Sequence, residues 1–171
     1  MVEIRQAAVI GAGVMGAGIA AQIANAGTPV HLLDIVPDGA DDREVIAKGA
    51  IANLLKANPA PLMHKRNASL ITPGNTEDHL DRLKDCDWII EAVIENPAIK
   101  RDLYGRIAAV RKEQAVLSSN TSTIPLDVLT EGMDDTMRRH FLVTHFFNPP
   151  RYMRLLELVT GPDPLGDVTS A

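Results

Sequence analysis

The stretch AAVIGAGVMGAGIAAQIANAG, residues 7–27, contains no charged residue, and two readings compete for it. As an unbroken apolar run ending in Ala-Asn-Ala, it resembles the core and small-residue cleavage site of a secretory signal, or a weak membrane span. Glycines at 11, 13, 16 and 18 break the run, and Gln22 and Asn25 suit lipid poorly. The second reading divides it into a buried strand over AAVI (7–10), a glycine turn, and a helix from Val14 to Ala26. PVHLLD (29–34) then follows as another short strand. The second reading accounts for every residue, and the chain reads as soluble and cytoplasmic.

The turn is Gly11-Ala-Gly13-Val14-Met15-Gly16, placed directly after a strand and opening a helix. In that setting Gly11 permits the tight turn, Gly13 lets backbone approach a pyrophosphate, and Gly16 lets helix and strand pack closely. The helix N-terminus presents free N–H groups and the positive end of its dipole to phosphate. Glycines at this spacing also serve plain packing, so the turn alone is weak. Asp34 strengthens it: the acid ends the second strand, 18 residues after Gly16. A carboxylate there accepts the ribose hydroxyls of an adenosine and repels a 2′-phosphate, favouring NAD over NADP. FAD shares the fingerprint, but nothing in the chain resembles a further flavin motif.

Beyond Asp34 the pattern keeps alternating. Asp41–Ala57 has helical spacing, with Val45, Ile46, Ile51, Leu54 and Leu55 on one face, and is stopped by NPAP (58–61). SLIT (69–72) reads as a short strand before the polar turn PGNTED, and DWIIEAV (87–93) as a strong one. Pro97 opens a helix over Ala98–Lys112, AVLSSN (115–120) is a strand, and a short helix follows Pro125. RHFLVTHFF (139–147) and MRLLELV (153–159) complete the set. Strands alternating with helices predict an α/β fold: a Rossmann-like, doubly wound, mostly parallel sheet with helices on both faces. Residues 1–160 form this nucleotide-binding domain. The tail GPDPLGDVTSA (161–171) reads as a linker, or as the truncated start of a further domain.

Composition agrees. The 171 residues suit one domain, and 46% hydrophobic with 23% charged residues is ordinary globular chemistry. A net charge of −5 gives no basic field for nucleic acid or an anionic membrane. The single cysteine, Cys86, reads as a small buried side chain in a reducing compartment.

VTHFFNPP (143–150) places an imidazole in an apolar strand just before two prolines. A buried histidine needs hydrogen-bond partners, and alone it reads as a satisfied core residue. If 139–147 and 153–159 pair antiparallel across the NPPRY turn, His145 and Glu157 face each other on one side. Glu157 alternates with Met153, Leu155 and Val159, apolar company in which an isolated carboxylate is costly. Such a pair is either an ion pair tying two strands or a catalytic dyad. In the dyad, Glu157 accepts the Nδ1 proton, fixes the tautomer, and supports the imidazolium formed when Nε2 takes a proton. Beside a dinucleotide site, the catalytic reading leads. No metal ligand set is read.

Taken together, VIGAGVMGAGIA (9–20), HLLD (31–34), DWIIEAVIEN (87–96), SSNTST (118–123) and THFFNPPRYMRLLELV (144–159) resemble the L-3-hydroxyacyl-CoA dehydrogenases, in family order over nearly the whole chain. The resemblance implies NAD-dependent oxidation of an L-3-hydroxyacyl-CoA to a 3-ketoacyl-CoA, as in fatty-acid β-oxidation. It implies that His145 is the base and Glu157 its partner, and that Ser122 contacts substrate and cofactor. It further implies that Asn148 lies beside the nicotinamide end, and that Glu95 and Lys100 contact cofactor. Without it, Ser122 reads as a turn cap and Lys100 as a solvated helix residue. The family helix approaching coenzyme A corresponds to AKGAIANLLK, where Asn53 stands near a position held by Ser in some members and Lys48 and Lys56 are candidate phosphate partners. The resemblance also implies a helical C-terminal domain that closes over the acyl chain and forms a homodimer. Two alternatives stay open: a related dehydrogenase of another hydroxy acid or sugar acid, and a non-catalytic NAD-binding module.

Overall fold

The computed structural model describes residues 3–162 and 164. Its frame is one seven-stranded sheet: β1 (Ala7–Ile10), β2 (Val30–Asp34), β3 (Ile71–Asn75), β4 (Trp88–Glu91), β5 (Val116–Ser119), β6 (Phe141–Phe146) and β7 (Leu156–Thr160). The spatial order is β3-β2-β1-β4-β5-β6-β7, parallel throughout except for the antiparallel β6–β7 pair. The α-helices are α1 (Val14–Asn25), α2 (Val45–Leu54), α3 (Pro97–Ala108), α4 (Leu126–Thr130) and α5 (Asp135–Arg139). This is the doubly wound arrangement the alternating pattern predicts.

The central strands are short apolar runs because both faces of the sheet are covered. Val9, Leu32 and Ile90 pack with Ile19 and Ile23 of α1 on one side. Ile10, Leu33, Ile89 and Leu117 pack with Leu103 and Ile107 of α3 on the other. Each such buried side chain contributes about 1.5–3 kcal/mol relative to exposure. Ser118 accepts from Trp88 Nε1 at 2.9 Å and from the Thr144 hydroxyl at 2.8 Å, linking β4, β5 and β6 inside the sheet. Cys86 is buried as expected, and burial pushes its thiol up to about 12.

Several boundaries differ from the sequence reading. β3 spans Ile71–Asn75 rather than 69–72, so Pro73 and Gly74, expected in a turn, lie in a strand. β3 is an edge strand bonded on one side only, where a proline is tolerated. α2 is shorter than 41–57, because the Asp42 carboxylate accepts the Glu44 N–H at 3.0 Å and holds a turn ahead of it. α5 was not anticipated; Asp134 caps it by accepting the Met137 N–H at 2.7 Å. β7 begins at 156 rather than 153, since the Tyr152 and Met153 N–H groups bond the Pro149 carbonyl and extend the turn. Among the described residues, no helix is long and apolar enough to cross a membrane.

Candidate active site

In an open parallel sheet, ligands bind past the carboxyl ends of the strands where the winding reverses. Here that point lies between β1 and β4, since β2 and β3 lie to one side of β1 and the chain then crosses to the other. The glycine turn leaves β1 there. Gly11 has φ +103°, a conformation side chains resist, and a Cβ on it would lie 2.4 Å from the Ala92 carbonyl oxygen. A Cβ on Gly16 would lie 1.7 Å from the Gly11 oxygen, so α1 and the turn meet backbone to backbone. A Cβ on Gly13 would meet nothing within 4 Å. Gly13 is also the N-cap of α1 and supplies no side-chain cap, leaving the N–H groups of the first turn, at Val14 and Met15, to a ligand. An open approach over an uncapped helix N-terminus fits a pyrophosphate.

Asp34 stands where the sequence reading puts it, and does more. Its Oδ2 accepts the Ala12 N–H at 2.5 Å and its Oδ1 the Ile35 N–H at 2.7 Å. The acid therefore holds the glycine turn against β2 while keeping lone pairs for hydroxyl donors.

A cleft of about 330 Å³ opens beyond the turn, lined by Met15, Glu95, Lys100, Ser122, His145 and Asn148, among others. Six residues assigned from sequence are thus brought to one cavity. His145, next to last in β6, lies directly opposite Glu157 of β7, and His145 Nδ1 lies 2.8 Å from Glu157 Oε2. The imidazole rests against the Phe147 ring at 4.6 Å between centroids. The antiparallel pairing is as read, but the apolar burial expected around Glu157 is not present. Its side chain is 52% exposed against 21% for His145, because β7 is an edge strand whose residues are bare along Leu156–Val159. The carboxylate needs no burial argument here: water and the imidazole both solvate it.

The opposite wall holds a cluster the sequence reading mostly missed. Glu91, at the end of β4, is completely buried and accepts four donors. Oε1 takes the Val93 N–H at 2.8 Å and Lys100 Nζ at 2.7 Å; Oε2 takes the Tyr104 hydroxyl at 2.6 Å and the Ser119 hydroxyl at 2.7 Å. Lys100 is therefore no solvated helix residue but a core ammonium, and its Nζ also lies 3.0 Å from Glu95 Oε2. Glu95 Oε1 in turn accepts the Thr121 hydroxyl at 2.5 Å and the Ser122 N–H at 3.1 Å, which sets the turn carrying Ser122 into the cleft. Burial opposes charge on Glu95, but the Thr121 hydroxyl and Lys100 outweigh it and hold its carboxyl below the usual range. Burial, then the Glu91 carboxylate, push the Tyr104 phenol far up. An acid ending the apolar strand WIIE, followed at nine and thirteen residues by Lys and Tyr on one face of α3, was the available signal. Asn120 was also missed: its Oδ1 accepts the Phe146 N–H at 2.9 Å and so orients β6 just past His145.

Lys48, a candidate for phosphate on α2, is instead held by Asp42 at 2.9 Å and Glu44 at 3.3 Å. Asn53 lines a second cavity of about 410 Å³ between the glycine turn, α2 and the 148–151 turn, sharing Asn148 with the first.

These features put the chain among the Rossmann-type dinucleotide-binding domains. Comparison with known proteins narrows the class: residues 6–169 match the family described as 3-hydroxyacyl-CoA dehydrogenase, NAD binding domain, and the chain belongs to that family. A Deinococcus radiodurans protein named "Probable 3-hydroxyacyl-CoA dehydrogenase" is 52% identical over 157 residues, covering 92% of this chain and 45% of the relative. A Bacillus subtilis protein of the same name is 46% identical, covering 98% of this chain and 24% of the relative. The crystal structure of 3-hydroxybutyryl-CoA dehydrogenase from Escherichia coli superposes with a TM-score of 0.82 at 28% identity, covering 99% of this chain and 35% of that one. The chain thus spans less than half the length of these relatives.

Proposed function

We propose that this domain serves the NAD-dependent interconversion of an L-3-hydroxyacyl-CoA and a 3-ketoacyl-CoA, with His145 as the proton-transferring base. The observation that carries this reading is the 2.8 Å contact between His145 Nδ1 and Glu157, which leaves Nε2 as the free ring nitrogen beside a cleft shared with Ser122 and Asn148. Gly11, Gly13, Val14, Met15 and Gly16 hold the pyrophosphate, Asp34 the adenosine ribose, and Glu95, Lys100 and Asn148 border the nicotinamide end. When bound, the nicotinamide supplies the hydride acceptor. His145 Nε2 takes the hydroxyl proton as the alcohol is oxidised, and Glu157 stabilises the resulting imidazolium. Ser122, on the turn held by Glu95, positions the substrate oxygen.

The acyl-CoA substrate is carried over from the names of the relatives and from the family resemblance. We place the protein in the cytoplasm, supported by a lone, buried Cys86. The proposal extends to the bare apolar side chains of β7: Leu156, Leu158 and Val159 are 38–51% exposed. We infer that, in a longer protein of this family, a helical domain of the kind the family resemblance implies covers them and pairs two copies.

The test is NADH-dependent reduction of acetoacetyl-CoA, set against a panel of short keto acids. His145→Gln is expected to lower turnover by roughly 10²–10⁴-fold with NADH binding retained. Undiminished turnover in that variant removes His145 from the reaction, and preference for a free keto acid replaces the substrate class.

A further inference from the structure

We propose that Glu95 makes the cleft distinguish the redox state of its cofactor, favouring the positively charged ring of NAD⁺ over the neutral ring of NADH. This rests on the reading that the nicotinamide end enters the cleft lined by Glu95, Ser122 and His145.

The argument is one of charge. Lys100 lies between two carboxylates, 2.7 Å from Glu91 and 3.0 Å from Glu95, so the three groups together carry one negative charge. Its location is not shared equally. Glu91 and Lys100 are 0% and 1% exposed and form a closed buried pair, satisfied further by Tyr104, Ser119 and the Val93 N–H. Glu95 is 40% exposed on the cavity side. The excess charge therefore faces the cleft as the Glu95 carboxylate, while the ammonium that would cancel it is matched from behind by Glu91. The hydrogen bonds from Thr121 and Ser122 keep that carboxylate ionised and fixed in direction. Among the residues lining the cavity, the ionisable side chains are Glu95, Lys100 and His145. The Glu157 carboxylate is bonded to the His145 ring at 2.8 Å and is not among the lining residues, so Glu95 is the carboxylate that the lining itself presents.

NAD⁺ and NADH share adenine, riboses and pyrophosphate and differ by one unit of charge on the ring. Contacts made by the glycine turn and Asp34 therefore cancel in the ratio of their affinities, whereas a fixed carboxylate near the ring does not. Coulomb attraction over several ångströms in a partly wet cleft is modest but sufficient to move a binding ratio.

The experiment measures the affinities of NAD⁺, NADH and ADP-ribose, which lacks the ring, for this chain by calorimetric titration. Wild type is compared with Glu95→Gln and Glu95→Asp. The glutamine keeps an acceptor for Thr121 and Ser122 but removes the charge; the aspartate keeps the charge. In Glu95→Gln the NAD⁺:NADH affinity ratio is expected to fall about tenfold, or about 1.4 kcal/mol. ADP-ribose binding is expected to stay at the wild-type value, which also reports an intact fold, and Glu95→Asp is expected to retain most of the ratio. Equal weakening of NAD⁺ and NADH, with ADP-ribose unaffected, overturns the charge argument while leaving the ring in the cleft. Unchanged binding of all three, or an equal change in all three, places the ring elsewhere and overturns the underlying reading as well.

Discussion

Replacing Tyr104 by phenylalanine isolates the strength of the buried cluster behind the cleft. The substitution keeps the aromatic ring and its edge contact with Phe141 at 5.3 Å, and removes one hydroxyl. That hydroxyl donates to Glu91 Oε2 at 2.6 Å between side chains that are 2% and 0% exposed. Oε2 is left with the Ser119 hydroxyl alone, in a place bulk water does not reach. A hydrogen bond to a charged group contributes about 1.5–3 kcal/mol, and the buried setting argues for the upper half. In a domain of this size each kcal/mol moves Tm by about 2–4 °C, so Tyr104→Phe is expected to lower Tm by roughly 4–12 °C. Circular dichroism measures this, with urea unfolding confirming an unchanged m-value. Lys100→Met is expected to cost more, about 3–5 kcal/mol, because it leaves the buried Glu91 carboxylate without its cation. A Tyr104→Phe variant melting within about 1 °C of wild type would refute the reasoning. So would a Lys100→Met variant less damaged than Tyr104→Phe.

Two further outcomes are expected from other parts of the sheet. His31 on β2 has a buried Nδ1 without a hydrogen-bond partner, and burial, then the Arg82 charge, hold its pKa below the ordinary 6.5. A depressed folded value means that its stability contribution is complete above 6.5 and is lost as pH falls from there through the folded value. His31→Phe should therefore flatten the fall in stability below that pH, and an unchanged slope in urea titrations would contradict it. Asp34→Ala should weaken both NADH and NADPH, because the Ala12 N–H loses its acceptor, but NADH more. Equal losses for the two would remove the 2′-phosphate repulsion assigned to this acid.

The frame was legible because its signals are local. A strand followed by glycines at 11, 13 and 16 and an acid at 34 specifies one βαβ unit, and alternation carries the pattern onward. The short NPPRY turn raised antiparallel pairing of β6 with β7 as a condition, and the structure meets it, with His145 facing Glu157. What was not legible depends on depth. Nothing in the sequence says that Glu91 is sealed between α3 and β5 whereas Glu157, in an equally apolar run, is half exposed on an edge strand. Alternation gives the face of a strand but not whether anything covers that face. Lys100 was misread without the family for the same reason: one lysine on an amphipathic helix is normally solvated, and only its position over the end of β4 makes it a core residue. The β3 boundary was missed because Pro-Gly is turn chemistry by default, and an edge strand suspends the rule.

Two acidic residues, Glu95 in the cleft lining and Glu157 behind its contact with His145, are held in opposite ways, and the sheet explains why. Glu157 reaches its place through β7, where cross-strand register with His145 fixes the carboxylate. In the proposed reaction its charge is matched by an imidazolium and released again as the proton leaves. Glu95 sits on the loop between β4 and α3, at the switch of strand order, and no strand register fixes it. It is positioned by Lys100 from below and by the Thr121–Ser122 turn from the side. Its charge is static, because the cation beneath it is locked to Glu91. A base that must accept and return a proton needs the first kind of partner. A ring whose charge changes once per turnover responds to the second. On the proposed reading, the parallel part of the sheet thus supplies the fixed field, and its one antiparallel pair the proton acceptor.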